Sequence, residues 1–169
     1  VRFVLGIGDL VQWGDPDEYD LYEQQLTTLS VPMYATIGNH ELFGDPDEWL
    51  RRFGRFDVHF DFRGVSFSLV DSGSATIDPI VDDQLDDWLD DARDRVHVFA
   101  THFPPIAPGD VRGPSSFASQ HEAAALLERL AAGRVHVTLY GHVHTYDHYE
   151  NAGIPAYISG GGGALPVAF

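Results

Sequence analysis

Short apolar runs alternate along the chain with stretches whose apolar residues recur every three or four positions. This is the layering of an α/β domain rather than of an all-α or all-β one. The first run, Val1 to Ile7, predicts a strand that ends in Gly8-Asp9. A helix led by Pro16 follows, with Tyr19, Tyr22, Leu26 and Leu29 at helical spacing. Met33 to Ile37 reads as the next strand, ending in Gly38-Asn39-His40-Glu41, after which Asp45-Pro46 opens a short helix carrying Trp49, Leu50 and Phe53. Two strands, Phe56 to Phe62 and Val65 to Val70, flank the Arg63-Gly64 turn.

From Pro79 to Asp94, one stripe of Val81, Leu85, Trp88, Leu89 and Ala92 alternates with aspartates, which predicts an amphipathic helix. Those aspartates lack the spacing and glycine of an EF-hand and read as a solvated face. Val96 to Ala100 is a strand leading into Thr101-His102-Phe103-Pro104-Pro105, whose prolines enforce an irregular loop to about Ser116. A helix from Gln120 to Ala132 and a strand from Val135 to Tyr140 follow, and the strand ends in Gly141-His142-Val143-His144. Two more runs, Tyr146 to Glu150 and Ile154 to Ser159, finish near Gly160 to Gly163. No internal repeat or linker interrupts the pattern, so residues 1–169 read as a single domain.

Composition narrows the chemistry. Ten basic against 26 acidic residues leave a formal charge of −16. Every basic residue is arginine, and such a field disfavours binding to a nucleic-acid backbone. No apolar run is long enough to cross a bilayer, so no membrane partner is expected. With no cysteine, disulfides and thiolate chemistry are excluded, and a transition metal would fall to His, Asp, Glu or Asn. No signal peptide is visible, so the reading leans towards the cytoplasm, although the chain opens directly inside an apolar run and its N-terminus reads as incomplete.

Open α/β sheets gather ligands at strand C-termini, and four such ends carry metal-ligand chemistry here. They hold Asp9, Asn39 with His40, His102, and His142 with His144. A lone Asp at a strand end is commonly a helix cap and a lone His is commonly structural, but four clusters on one side of one sheet are poorly explained that way. His142 and His144 are two apart and point the same way on extended backbone, so each can reach a different member of a metal pair. The four-glycine run and Arg51, Arg52, Arg55 and Arg112 are further candidates for phosphate. A turn and solvated salt bridges, respectively, explain them better.

Together, Gly8-Asp9, Gly38-Asn39-His40-Glu41, His102 and Gly141-His142-Val143-His144 resemble, in order and spacing, the motifs of the calcineurin-like metallophosphoesterase superfamily. Within it the chain looks most similar to the branch of cyclic-nucleotide-phosphodiesterase-like and purple-acid-phosphatase-like enzymes. The resemblance implies a layered α-β-β-α sandwich. It also implies two divalent ions, manganese, iron or zinc, bridged by Asp9. Asn39, His102 and His142 would complete the shell of one ion, and His144 would bind the other. His40 would stabilise the transition state or protonate the leaving group, while Glu41 would support the loop. The implied activity is hydrolysis of a small phosphomonoester or phosphodiester by a hydroxide bridging the metals.

The family's first motif, an Asp-x-His on an N-terminal strand, does not precede Asp9. The Asp57-Val58-His59 triplet lies in a predicted strand instead. One ion therefore keeps four candidate ligands and its partner only Asp9 and His144, fewer than the usual three or four, so the reading allows for one of the two ions being lost in this chain. Three readings follow: a first strand missing from the sandwich, a single working ion, or a degenerate member serving as a binding scaffold. Gln12 stands where purple acid phosphatases carry a tyrosine, so no tyrosinate-iron colour is expected.

Overall fold

The computed structural model describes residues 1–109, 115–160 and 162–166. Strand β1 (Val4–Ile7) pairs in parallel with β2 (Met33–Thr36), and the helices α1 (Pro16–Leu26) and α2 (Pro46–Phe53) accompany this small sheet. A six-stranded sheet holds β3 (Val58–Phe62), β4 (Val65–Val70), β5 (Val96–Thr101), β6 (Val137–Tyr140), β7 (Tyr146–Asn151) and β8 (Ile154–Ser159), in the order β3-β4-β5-β6-β8-β7. Its four central strands run parallel, and β3 and β7 are antiparallel edges. Helices α3 (Pro79–Asp91) and α4 (Gln120–Ala132) complete the chain.

The helices start where local chemistry dictates. Proline at the first position of α1, α2 and α3 has no N–H to leave unpaired, and Asp45 and Asp78 accept the N–H of Asp47 at 3.0 Å and of Ile80 at 2.7 Å. Ser119 caps α4 through the N–H of Glu122.

Three apolar clusters show the layers. Val81, Leu85 and Leu89 of α3 and Leu126 and Leu130 of α4 pack on Val70 and Phe99 of the large sheet. Tyr19 and Trp49 of α1 and α2 pack with Ile37, beyond the end of β2. Between the sheets, the Phe3 ring meets Tyr34, Phe60, Phe62 and Phe67 edge-on at 5.2–5.8 Å, and Tyr34 stacks on Phe60 at 4.2 Å. The result is the expected α-β-β-α sandwich. Among the described residues β1 has β2 as its one strand neighbour, and a cavity of about 310 Å³ lies along Leu5, Gly6 and Ile7. None of the described helices is long and apolar enough to cross a membrane.

Candidate metal centre

Parallel pairing sets the C-terminal ends of β4, β5 and β6 side by side, and the loops leaving β1 and β2 meet them. Val70 lies level with Thr101 and Thr101 level with Tyr140, so His102 and Gly141 emerge next to each other. The backbone N–H of Gly141 donates to the His102 carbonyl at 3.0 Å. Asp9 and His142 both adopt positive φ, 55° and 61°. Such backbone strain in non-glycine residues clusters at functional sites and persists when surrounding contacts enforce it.

His102, 1 % exposed, is held by its Nδ1, which donates to the Ile7 carbonyl at 2.8 Å. In the neutral ring, Nε2 is then an acceptor. It faces Asp9 Oδ2 at 3.2 Å and Asn39 Oδ1 at 3.2 Å, and Asn39 Oδ1 lies 3.0 Å from His142 Nδ1. Ligand atoms of Asp9, His102 and His142 all fall within 4.8 Å of one another. Acceptor lone pairs converging at these distances are satisfied by a proton or by a cation. The donor set of one carboxylate, one amide oxygen and two imidazoles fits a divalent ion. The carbonyl that fixes the His102 tautomer is the outer support such a ligand needs.

Burial opposes ionisation of Asp9, but the His102 ring, when its Nε2 carries a proton in place of a cation, and then the His40 N–H and ring outweigh it and hold the carboxyl below its ordinary range. Glu41, 1 % exposed, fixes the loops that present these groups. Its carboxylate accepts the N–H groups of Asp9 at 2.9 Å, Leu10 at 2.5 Å, Val11 at 3.1 Å and Gly38 at 2.6 Å. A Cβ on Gly38 would lie 2.3 Å from Asp9 Oδ1, so only glycine allows this approach.

His40 lies at the border of this group. Its Nδ1 donates to the Gln12 carbonyl at 2.6 Å, and its Nε2 is 4.0 Å from Asp9 Oδ2. His144 is outside the Asp9, His102 and His142 group. Its Nδ1 donates to the Leu165 carbonyl at 3.1 Å, and it lines two cavities, of about 310 and 580 Å³, that also reach Asp9. The larger also holds His40 and Gln12.

Of the other sequence candidates, Gly160, Gly162 and Gly163 line the cavities that reach Asp9, whereas the described arginines do not. Arg51 and Arg52 pair with acidic residues of α1 and α2, and Arg55 lines a different cavity. Arg112 and Gly161 lie outside the described residues. His59 stacks on Trp88 at 5.3 Å, so Asp57-Val58-His59 does not join Asp9. His59, Asp61 and Asp91 form a second group of ligand atoms, but the Arg95 guanidinium already pairs with both carboxylates. The role of Glu41 as a four-way acceptor has no periodic signal in the sequence. An acid two residues beyond an Asn at a strand end is the available cue.

The family model of calcineurin-like phosphoesterases matches residues 1–146, and the chain belongs to that family. It is 27% identical over 142 residues to the glycerophosphodiester phosphodiesterase GpdQ of Enterobacter lignolyticus (strain SCF1), covering 75% of this chain and 50% of that protein. The chain thus spans half the length of the curated relative it matches. Among solved structures, a purple acid phosphatase, PPD1, from yellow lupin (Lupinus luteus) seeds superposes with a TM-score of 0.77 at 19% identity, over 100% of this chain and 38% of that one. GAP50, the anchor in the inner membrane complex of Plasmodium, gives 0.74 at 15% identity, over 96% and 62%. These two structures share the fold.

Proposed function

We propose that this chain is a metal-dependent phosphoesterase hydrolysing a small phosphomonoester or phosphodiester. The observation that carries this reading is the convergence of Asp9 Oδ2, Asn39 Oδ1 and the acceptor nitrogen of His102, with His142 beside them. Asp9, Asn39, His102 and His142 would hold one divalent ion, and Asp9 with His144 would hold a second, manganese, iron or zinc. Divalent ions supply two things phosphoester hydrolysis needs, hydroxide available near neutral pH and neutralisation of charge on the phosphoryl oxygens.

The protein's own groups do the rest. His102 and His144 each tie Nδ1 to a backbone carbonyl, which leaves Nε2 as the acceptor of the neutral ring, and in His102 that nitrogen faces Asp9 and Asn39. The Gln12 carbonyl holds the proton of His40 at Nδ1. The protonated ring then offers its Nε2–H to the leaving oxygen, next to Asp9. The named activity of the Enterobacter relative supports a diester among the substrates. The charge of −16 disfavours nucleic acid as a partner.

A second reading, a binding scaffold on this fold, is favoured by the position of His144 outside the Asp9 group and by the anchoring role named for GAP50. The discriminating experiment is manganese loading, removal of excess ion, and parallel measurement of metal per chain and of hydrolysis. A hydrolase binds metal and turns over. His102→Ala then loses the ion, whereas His40→Ala keeps it and loses about a hundredfold in turnover. Metal-independent silence of the complete protein supports the scaffold instead, and full turnover in His40→Ala removes that residue from the chemistry.

A further inference from the structure

Two aromatic rings stand out in water beside the candidate centre. Trp13 is 57% exposed and Phe43 is 55% exposed. Their rings lie 5.8 Å apart at a 34° tilt, and both contact the His40 ring, Phe43 at 4.8 Å and Trp13 at 6.5 Å. Single exposed apolar residues are ordinary, but adjacent exposed aromatics against a functional group mark a contact surface.

The pair is built rather than incidental. Trp13 and Phe43 belong to different loops, one after Asp9 and one after Asn39, and each is followed by a glycine. Those glycines meet backbone to backbone: a Cβ on Gly44 would lie 2.3 Å from the Gly14 carbonyl oxygen. Only a glycine pair permits that approach, and it sets the preceding rings side by side. The Glu18 carboxylate also fixes the first loop by accepting the N–H of Gln12 at 3.1 Å and of Trp13 at 2.7 Å. A preorganised ring pair loses little freedom when it binds a ligand.

No guanidinium lines either cavity at Asp9 among the described residues. The exposed side chains whose rings touch His40 are aromatic, not cationic. We propose that Trp13 and Phe43 form a shelf that receives a planar ring on the leaving alcohol, making esters of ring-bearing alcohols the preferred substrate class. The proposal rests on the phosphoesterase reading, because the shelf has this meaning only if His40 faces the leaving oxygen.

The test is calorimetric binding of benzylphosphonate and allylphosphonate, which are not hydrolysed, to the manganese-loaded full chain. The shelf predicts an affinity ratio of about tenfold in favour of the benzyl compound, the scale of aromatic stacking. In the Trp13→Ala/Phe43→Ala variant the ratio collapses towards one, and Trp13→Phe restores most of it. Gly44→Ala, which keeps both aromatic residues but separates the loops that carry them, also lowers the ratio. A ratio near one in the unmodified protein, or a ratio untouched by the double variant, overturns the shelf. Because binding is read directly, silence in hydrolysis counts against the phosphoesterase reading and not against the ring preference. A variant that changes self-association and leaves the ratio intact reassigns the rings to contact between copies of the chain, and overturns the proposal.

Discussion

The carboxylate of Glu41 accepts the backbone N–H of Asp9 at 2.9 Å, and this one bond ties the loop after β2 to the loop after β1. Three further N–H groups converge on the same carboxylate, so one buried side chain sets the backbone on which Asp9 sits at positive φ. Hydrogen bonds to a charged acceptor are the strong kind, and a buried acceptor removed from its donors leaves them all unsatisfied.

Glu41→Gln turns an acceptor into a group carrying two donors of its own, facing N–H groups. The expected outcome is a loss of about 3 kcal/mol in unfolding free energy, read by urea titration, together with weaker metal uptake. Uptake and stability equal to those of the unmodified protein would remove Glu41 from the architecture of the site.

Gly38→Ala places a Cβ 2.3 Å from Asp9 Oδ1 and 2.7 Å from the His102 ring. The clash falls on two candidate ligands rather than on the core. Manganese affinity is expected to drop at least about tenfold, a cost of about 1.4 kcal/mol at the site. Metal titration followed by circular dichroism separates this from unfolding.

His97 is fully buried, and its Nε2 bonds with Ser68 Oγ at 2.8 Å, which also lies 2.9 Å from His59 Nδ1. Burial first, and then the neighbouring His59 and His136, push its pKa down from 6.5 to about 4. The unfolded chain therefore binds a proton between pH 6.5 and pH 4 that the folded chain refuses, and stability is lost as pH falls through that window. At about 1.36 kcal/mol per unit, the loss attributable to His97 is about 3 kcal/mol. His97→Gln is expected to flatten the acid limb of the stability curve by that amount, and an unchanged limb would contradict the assignment.

Asp71 behaves in the opposite sense. Burial, and then the charges of Asp57 and Asp78, push its carboxyl up to about 6, against the N–H of Gly73. Its ionised form is thus a cost to the fold above pH 6, and the cost vanishes as pH falls towards the ordinary value of 3.8. Asp71→Asn keeps an acceptor for Gly73, so it is expected to stabilise the protein at pH 7 by up to about 3 kcal/mol and to give no gain at pH 4. Denaturant midpoints at the two pH values decide it.

Much of the architecture was legible in the chain. Proline and aspartate at helix starts, the aspartate-flanked stripe of α3 and the β-rich runs marked each element, and the structure trims them by a few residues, as at β1, which begins at Val4, and α3, which ends at Asp91. Strand ends fray because their outer residues have no ladder partner: Val1 to Phe3 precede the first residue paired with β2. The residue types of the site were legible for a related reason. Strand C-termini are local features, and Asp9, Asn39, His40, His102, His142 and His144 all stand at them.

What the sequence determined alone is therefore what periodicity and capping encode: the order of the twelve elements seen among the described residues, the side on which polar groups collect, and the absence of thiol chemistry. Tertiary structure alone decided which of those groups meet. Parallel register brings His102 beside Gly141, and the Ile7 carbonyl turns one imidazole nitrogen towards Asp9 and Asn39, while His144 is tied to Leu165 instead. Three of the four bonds of Glu41 and the contact of Gly14 with Gly44 join residues about 30 positions apart. No local pattern specifies such a contact, because its geometry depends on how two separate loops pack once the sheet that carries them has formed.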